Sequence, residues 1–297
     1  MQIALHIGAH STDHEQLIQT LAKNGPQLGF EGIAVPAPNA YRKPMQDLLM
    51  SSMKGESTDS AVRKAMLDAI GFGGSATRAL LSHENLLGRQ HRIFEKGKMY
   101  PVAPRRLADL MSLLPVTELQ VYMAIRNPVL FVADSYPQAN APSFAEFMDG
   151  VRFADIRWSD MIEQMAAAVP QADFTIWCHE DTPLIWGDIL RDMAGVASDF
   201  TLNGEFNGLK EIMTEEGFRR MTAYIQQHSP QTPQQRQRII SAFLDKFALP
   251  DALEQEIELP NLDDPAIERL TAQYEADLDK IAALPGVRLI QPAFQKS

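Results

Sequence analysis

Apolar and polar positions along this chain fall into two rhythms. In the first, apolar residues run continuously or alternate with period two: Ile3, Leu5 and Ile7 interleaved with Ala4 and His6, then residues 32–35, 77–82, 118–125, 174–178 and 286–290. Short runs of this kind, bounded by Gly, Pro or polar clusters, predict strands. In the second, apolar residues recur at intervals of three and four: Leu17, Ile18 and Leu21; Met45, Leu48, Leu49 and Met53; Val62, Met66 and Ile70; Leu107, Leu110, Met111 and Leu114. Helices are also predicted over 129–136, 143–151, 158–168, 184–194 and 265–284. The last carries Ile267, Leu270, Tyr274, Leu278 and Ile281 on its apolar face, with Asp277 and Asp279 read as a solvated face. Pro128 and Pro183 suit first helical turns, where a missing N–H leaves nothing unpaired. Gly195 suits a C-cap.

Strands alternating with helices, the strands predominantly apolar, imply the α/β class: a mostly parallel central sheet flanked by helices. Residues 198–264 depart from this pattern, with helix and polar loop but no strong strand. Within them, residues 226–237 are rich in Gln, Pro, Ser and Thr and predict an exposed turn between two helices. The expected organisation is a single α/β domain over 1–297, with 198–264 as a helical insertion or cap.

Composition narrows the classes. An apolar content of 45% and a charged content of 22% over 297 residues are those of an ordinary globular protein. No run of about 18 apolar residues predicts a membrane span. The chain enters a strand at once, without the pattern of a secretory signal. A single cysteine, Cys178, forbids an internal disulfide. The expectation is a cytoplasmic protein. A net charge of −11 argues against nucleic acid or an anionic membrane surface as a partner. It leaves room for a small anion in a locally positive pocket.

In parallel sheets ligands collect at the carboxyl ends of strands. Four such ends carry polar residues here: 8–14, His83-Glu84, Arg126-Asn127 and His179-Glu180-Asp181. The first has the order strand, glycine turn, helix start that suits an anion, because free N–H groups and the helix dipole converge there. Residues 71–75 are glycine-rich, yet no strand precedes them, and they read as a plain connection. Residues 88–99 hold Arg89, His91, Arg92, Lys96 and Lys98 and form either a solvated loop or an anion-facing lid.

Two of these stretches carry a family likeness. Leu5-His6-Ile7-Gly8-Ala9-His10-Ser11-Thr12 resembles the "LHIGxxKTGT" opening of bacterial PAPS-dependent sulfotransferases, the loop that holds the 5′-phosphosulfate. Ile125-Arg126-Asn127-Pro128, followed by Ser135-Tyr136, resembles their "RNP…S.Y" segment, which binds the 3′-phosphate. Leu81-Ser82-His83-Glu84-Asn85-Leu86, Trp177-Cys178-His179-Glu180-Asp181 and, more loosely, residues 274–290 are similar to stretches between and after those motifs. The resemblance spans most of the chain in order. It implies a P-loop-like fold and sulfuryl transfer from PAPS, leaving PAP, to a hydroxyl or amine on a small-molecule or glycan acceptor.

Carried over residue by residue, the resemblance assigns Gly8, Ser11 and Thr12 to the phosphosulfate and Arg126 with Ser135 to the 3′-phosphate. His83 or Glu84 would be the acceptor's general base. The chain also departs from the pattern. Ser11 stands where the family has lysine, Asp13 and Glu15 enter the loop, and Asp134 falls where the family serine is expected. Sulfuryl transfer needs a cation against the leaving phosphate; here His10, Arg89 or Arg92 would have to replace the lysine. These departures support an alternative, a non-catalytic sulfotransferase-fold protein that binds another anionic ligand or a protein partner. A metal site would draw on His10, Asp13, His14, His83, His179 and Asp181. His10 and His14 straddle a turn, however, and no metal is assigned. A kinase lacks both the P-loop lysine and a magnesium-binding pair.

Overall fold

The structure is a computed structural model that describes residues 1–115, 118–250, 257, 259–260 and 262–293. It divides into two compact units. The first comprises Met1–Ile176 with Ile257–Leu289, the second Trp177–Glu256 with Ile290–Ser297. Residues 251–256, 258 and 261 of the expected helical insertion lie outside the described residues.

In chain order the first unit begins with β1 (Gln2–His6), α1 (Gln16–Lys23), α2 (Gly25–Phe30), β2 (Ile33–Ala34), α3 (Pro38–Met53), α4 (Ser60–Ala69) and β3 (Arg78–Ser82). A two-stranded hairpin follows, β4 (Phe94–Glu95) with β5 (Lys98–Met99), then α5 (Ala103–Leu113), β6 (Glu118–Ile125), α6 (Pro128–Gln138), α7 (Phe144–Met148), α8 (Trp158–Ala168) and β7 (Ala172–Cys178). The second unit contains α9 (Thr182–Ala194), α10 (Leu209–Ile212), α11 (Glu215–His228) and α12 (Pro233–Phe247). The chain closes with α13 (Asp264–Ala282) and β8 (Val287–Ile290).

Six strands form one all-parallel sheet in the order β2-β3-β1-β6-β7-β8, flanked by helices, an arrangement consistent with a P-loop-like α/β fold. β1 is central, and Leu5 stands in register with Leu81 of β3 and Val121 of β6. Ile3, Ala4 and Leu5 have no exposed surface, as a strand covered on both faces requires. After β1 the chain turns toward β2 and β3, whereas after β6 it turns the opposite way toward β7. The carboxyl ends of β1 and β6 therefore flank the switch point where such sheets leave a crevice.

Several elements differ from the sequence expectation for local reasons. α3 begins at Pro38, one turn before Tyr41, because proline in the first turn pre-sets the helical φ; Pro44 then lies inside the helix. The basic segment is not a plain loop. Lys96 and Gly97, both at positive φ, close the β4–β5 turn, and the amide of Lys96 donates to Asp149 Oδ2 at 2.7 Å.

Asp277 corrects the expectation of a solvated face. It is 3% exposed and accepts bonds from the amide (3.1 Å) and hydroxyl of Ser159 in the first turn of α8, where a carboxylate satisfies N–H groups the helix leaves open. Asp279 is exposed, as expected. Pro128 opens α6 with Asn127 capping it (Val129 N to Asn127 Oδ1, 3.0 Å), and Gly195 ends α9 at φ 74°, both as the sequence predicts.

In the second unit α11 and α12 are joined by a short turn at 229–232, and Thr232 caps α12 by accepting from Gln235 N at 3.2 Å. Their contact is close. A Cβ built on Gly217 would meet Phe247 Cβ at 2.3 Å, so only glycine fits there. Leu209, Met213, Met221 and Ile240 form the core of this unit, with Phe218, Ile225, Phe243 and Phe247 packed against it. Two buried arginines hold its side: Arg191 pairs with Glu205, and Arg236 with Asp188 at 3.2 Å. Among the described residues no helix is long and apolar enough to cross a membrane.

Candidate functional site

Beyond His6 the chain leaves β1 without leaving β6. The Ile7 and Ala9 amides donate to Tyr122 O and Ala124 O, both at 2.9 Å, and Gly8 O accepts from Ala124 N at 2.7 Å. Gly8 lies at φ +114°, and a Cβ there would stand 3.2 Å from the His10 amide and 3.6 Å from Glu84 Cβ. Glycine thus lets the loop turn tightly against the end of β3. Ser11, His14 and Glu15 also lie in the left-handed region, at a cost on the order of 1 kcal/mol or more each.

Side chains hold this loop in place. Thr12 Oγ1 donates back to Ala9 O at 2.8 Å, Asp13 Oδ1 accepts from Leu17 N at 2.9 Å, and Glu15 pairs with Arg42 of α3. The His10 amide donates to Tyr100 Oη at 3.3 Å. The Thr12 hydroxyl, the Asp13 and Glu15 carboxylates and the His10 amide of this loop are thus engaged with the protein itself.

The residues assigned to the donor do converge. Ser135 Oγ donates to Ser11 Oγ at 3.2 Å across 124 residues of sequence, and Arg126 Nη1 donates to Ser11 O at 3.2 Å. Arg126 also forms an ion pair with Asp134, the carboxylate that replaces the expected serine. Both Ser11 and Ser135 are buried, and the Arg126 carbonyl accepts from Trp158 Nε1 at 2.7 Å. The Arg126 guanidinium is thus neutralised from within the protein.

A second polar group lies at the end of β3. Ser82 pairs across the sheet with His6, Oγ to Nδ1 at 3.1 Å, and its carbonyl accepts from Tyr41 Oη (3.0 Å) and Arg42 Nε (2.8 Å). His83 is buried, and its pKa falls to about 4, chiefly from desolvation and further from the Arg42 and Arg106 guanidiniums. Glu84 is half-buried. Burial raises its carboxyl, with Asp13 and Glu15 adding to the rise and Arg42 opposing it.

His10 stacks on Tyr100, with ring centroids 5.6 Å apart, and hydrogen-bonds its hydroxyl through Nδ1 at 2.8 Å. Burial holds His10 near a pKa of about 4 as well, so at neutral pH it is uncharged and supplies no cation in place of the lysine. Arg106 donates to the carbonyls of Asn85 (2.9 Å) and Leu86 (3.4 Å), while its buried Nε has no protein partner among the described residues. Burial lowers the Arg106 pKa, and the nearby charges of Arg89 and Arg92 lower it further. The basic segment thus stands within electrostatic reach of the β3 end.

Tyr41, Arg42, Tyr100 and Arg106 were not singled out from the sequence. Arg42 occupies an ordinary polar position between apolar ones, and the only hint was the Tyr41-Arg42-Lys43 run after a pair of prolines. His179, Glu180 and Asp181 belong to the second unit, in the turn that leads into α9. There burial, and then Glu180, raise the Asp181 carboxyl to about 6. Among the described residues no three His, Cys, Asp or Glu side chains are grouped so as to hold a metal ion. No family model, curated protein or solved structure matches this chain.

Proposed function

We propose that the chain is a sulfotransferase-like protein that no longer transfers sulfuryl groups and instead binds a small oxyanion beside His83, at the carboxyl end of β3. The observation that carries this reading is the placement of the cations. Arg126, assigned to the 3′-phosphate by resemblance, is committed to Asp134 and the Ser11 carbonyl. The lysine position holds Ser11, and His10 is neutral. None of these three side chains supplies a free positioned charge to a leaving phosphate. Around His83, by contrast, Arg106 bonds only backbone carbonyls, its Nε has no protein partner among the described residues, and Arg89 bears on it electrostatically; Arg42, also close, is held by Glu15. A two-oxygen anion suits such a guanidinium.

Titration calorimetry with inorganic pyrophosphate and, separately, with PAP tests the assignment. Pyrophosphate is expected to bind saturably, to lose binding in Arg106→Ala and to be indifferent to Arg126→Ala. Micromolar binding of PAP that Arg126→Ala abolishes would overturn it. That outcome would favour the second reading, sulfuryl transfer from PAPS to a hydroxyl or amine acceptor with His83 or Glu84 as base. The convergence of Ser11, Arg126 and Ser135 supports this alternative.

A further inference from the structure

The second unit carries a cavity of its own. It lies between α11 and α12, has a volume of about 500 Å³, and is lined by Arg220, Tyr224, Gln227, Phe243, Lys246 and Phe247, with Ala223 among them. That volume is in the range of pockets for small organic molecules. The rings form a continuous file: Tyr224 to Phe243 at 5.9 Å between centroids, and Phe243 to Phe247 at 5.9 Å and nearly parallel, 22° between planes. Tyr224 remains 42% exposed although it is a large aromatic side chain.

Two cations border this aromatic file. Lys246 Nζ stands 5.4 Å from the Phe247 ring centroid and the Arg220 guanidinium carbon 5.9 Å from it. Arg220 also pairs with Glu216, but both side chains are more than half exposed, and such a pair yields readily to a competing anion. In a chain of net charge −11, two cations at the mouth of an aromatic cavity select against neutral and cationic molecules. Close packing of the helices at Gly217 keeps the Phe247 wall in place.

We propose that this cavity binds a small aromatic anion, a planar ring system bearing one carboxylate or sulfonate. The ring packs against Phe243 and Phe247, with Tyr224, tilted 55° to Phe243, meeting its edge, and the acid group faces Lys246 and Arg220. Such contacts need no participation by the residues around Gly8 and His83, so the site is independent of the function proposed above.

The test is calorimetric titration of the full chain with 2-naphthoate, alongside its neutral analogue 2-naphthalenemethanol. One saturable site is expected, with a Kd on the order of 100 μM for a ligand of this size. The neutral analogue is expected to bind about tenfold more weakly or worse, and Lys246→Glu to weaken the anion by a similar factor. Ala223→Trp, which fills the cavity from an exposed position, is expected to abolish binding while leaving the unfolding transition in place. Absence of saturation in the wild type, equal binding of the neutral analogue, or indifference to both substitutions would each overturn the proposal.

Discussion

In the proposed reading Asp134 closes the phosphate contact that the resemblance assigns to Arg126, and Asp134→Asn probes this directly. Asparagine keeps the shape of the side chain and still accepts from the guanidinium, but it removes the charge. The Arg126 and Asp134 side chains are 10% and 28% exposed. That places the pair between surface ion pairs, worth at most about 1 kcal/mol, and fully buried ones, whose breaking costs about 3–5 kcal/mol. A loss of about 2 kcal/mol in unfolding free energy is expected by urea titration. Affinity for phosphate should move the other way. A phosphate on Arg126 would lie on the order of 5 Å from the Asp134 carboxylate, where unit charges at an effective dielectric of about 20 interact by about 3 kcal/mol. Partial exposure reduces this, so PAP affinity should rise about ten- to a hundredfold. Calorimetry on wild type and variant measures the change. A stable variant whose PAP binding is no better than wild type would refute the idea that Asp134 blocks the pocket.

Two further outcomes follow from buried ionisable groups. His10 and His83 have folded pKa values of about 4 against 6.5 in an open chain, so below about pH 6.5 the unfolded state takes up more protons. Stability from these residues is complete above that pH and is lost as the pH falls toward about 4. From about pH 7 to about pH 5 the loss is about 2 kcal/mol for each histidine. Glu84 and Asp181, both raised, bind protons more readily in the folded state and offset part of this loss, so the diagnostic comparison is His83→Gln with wild type. The variant should lose less stability over that interval, and identical slopes would defeat the assignment. Asp277→Ala should cost about 2–4 kcal/mol, because the Ser159 amide and hydroxyl are left buried without their acceptor. Asp279→Ala, on the exposed side of the same helix, should stay within about 0.5 kcal/mol; equal effects would show that burial is not the cause.

The α/β class was legible in the chain before any coordinates. Strands buried on both faces must be apolar throughout, and helices that cover them must be apolar on one side, so period and composition alone order β1, β3, β6 and β7 among their helices. End signals were local too. Pro128 and Gly195 act within one turn of their own position, which is why these helix ends fell where expected.

Pairing across the sheet was not legible. Nothing in the stretch around residue 42 announces that Arg42 will hold Glu15 and the Ser82 carbonyl, or that Arg106 will approach His83. The same acidic residue type reads alike at 277 and 279, yet one caps α8 and the other meets water. Periodicity reports which face of an element is buried, whereas charge compensation depends on what a distant element places against that face. The sequence by itself therefore determined the main strands and helices and some of their ends. Only the tertiary structure decided that Asp134 neutralises Arg126, that Glu15 holds Arg42 and that Arg106 approaches His83, because those partners meet only when the sheet is assembled.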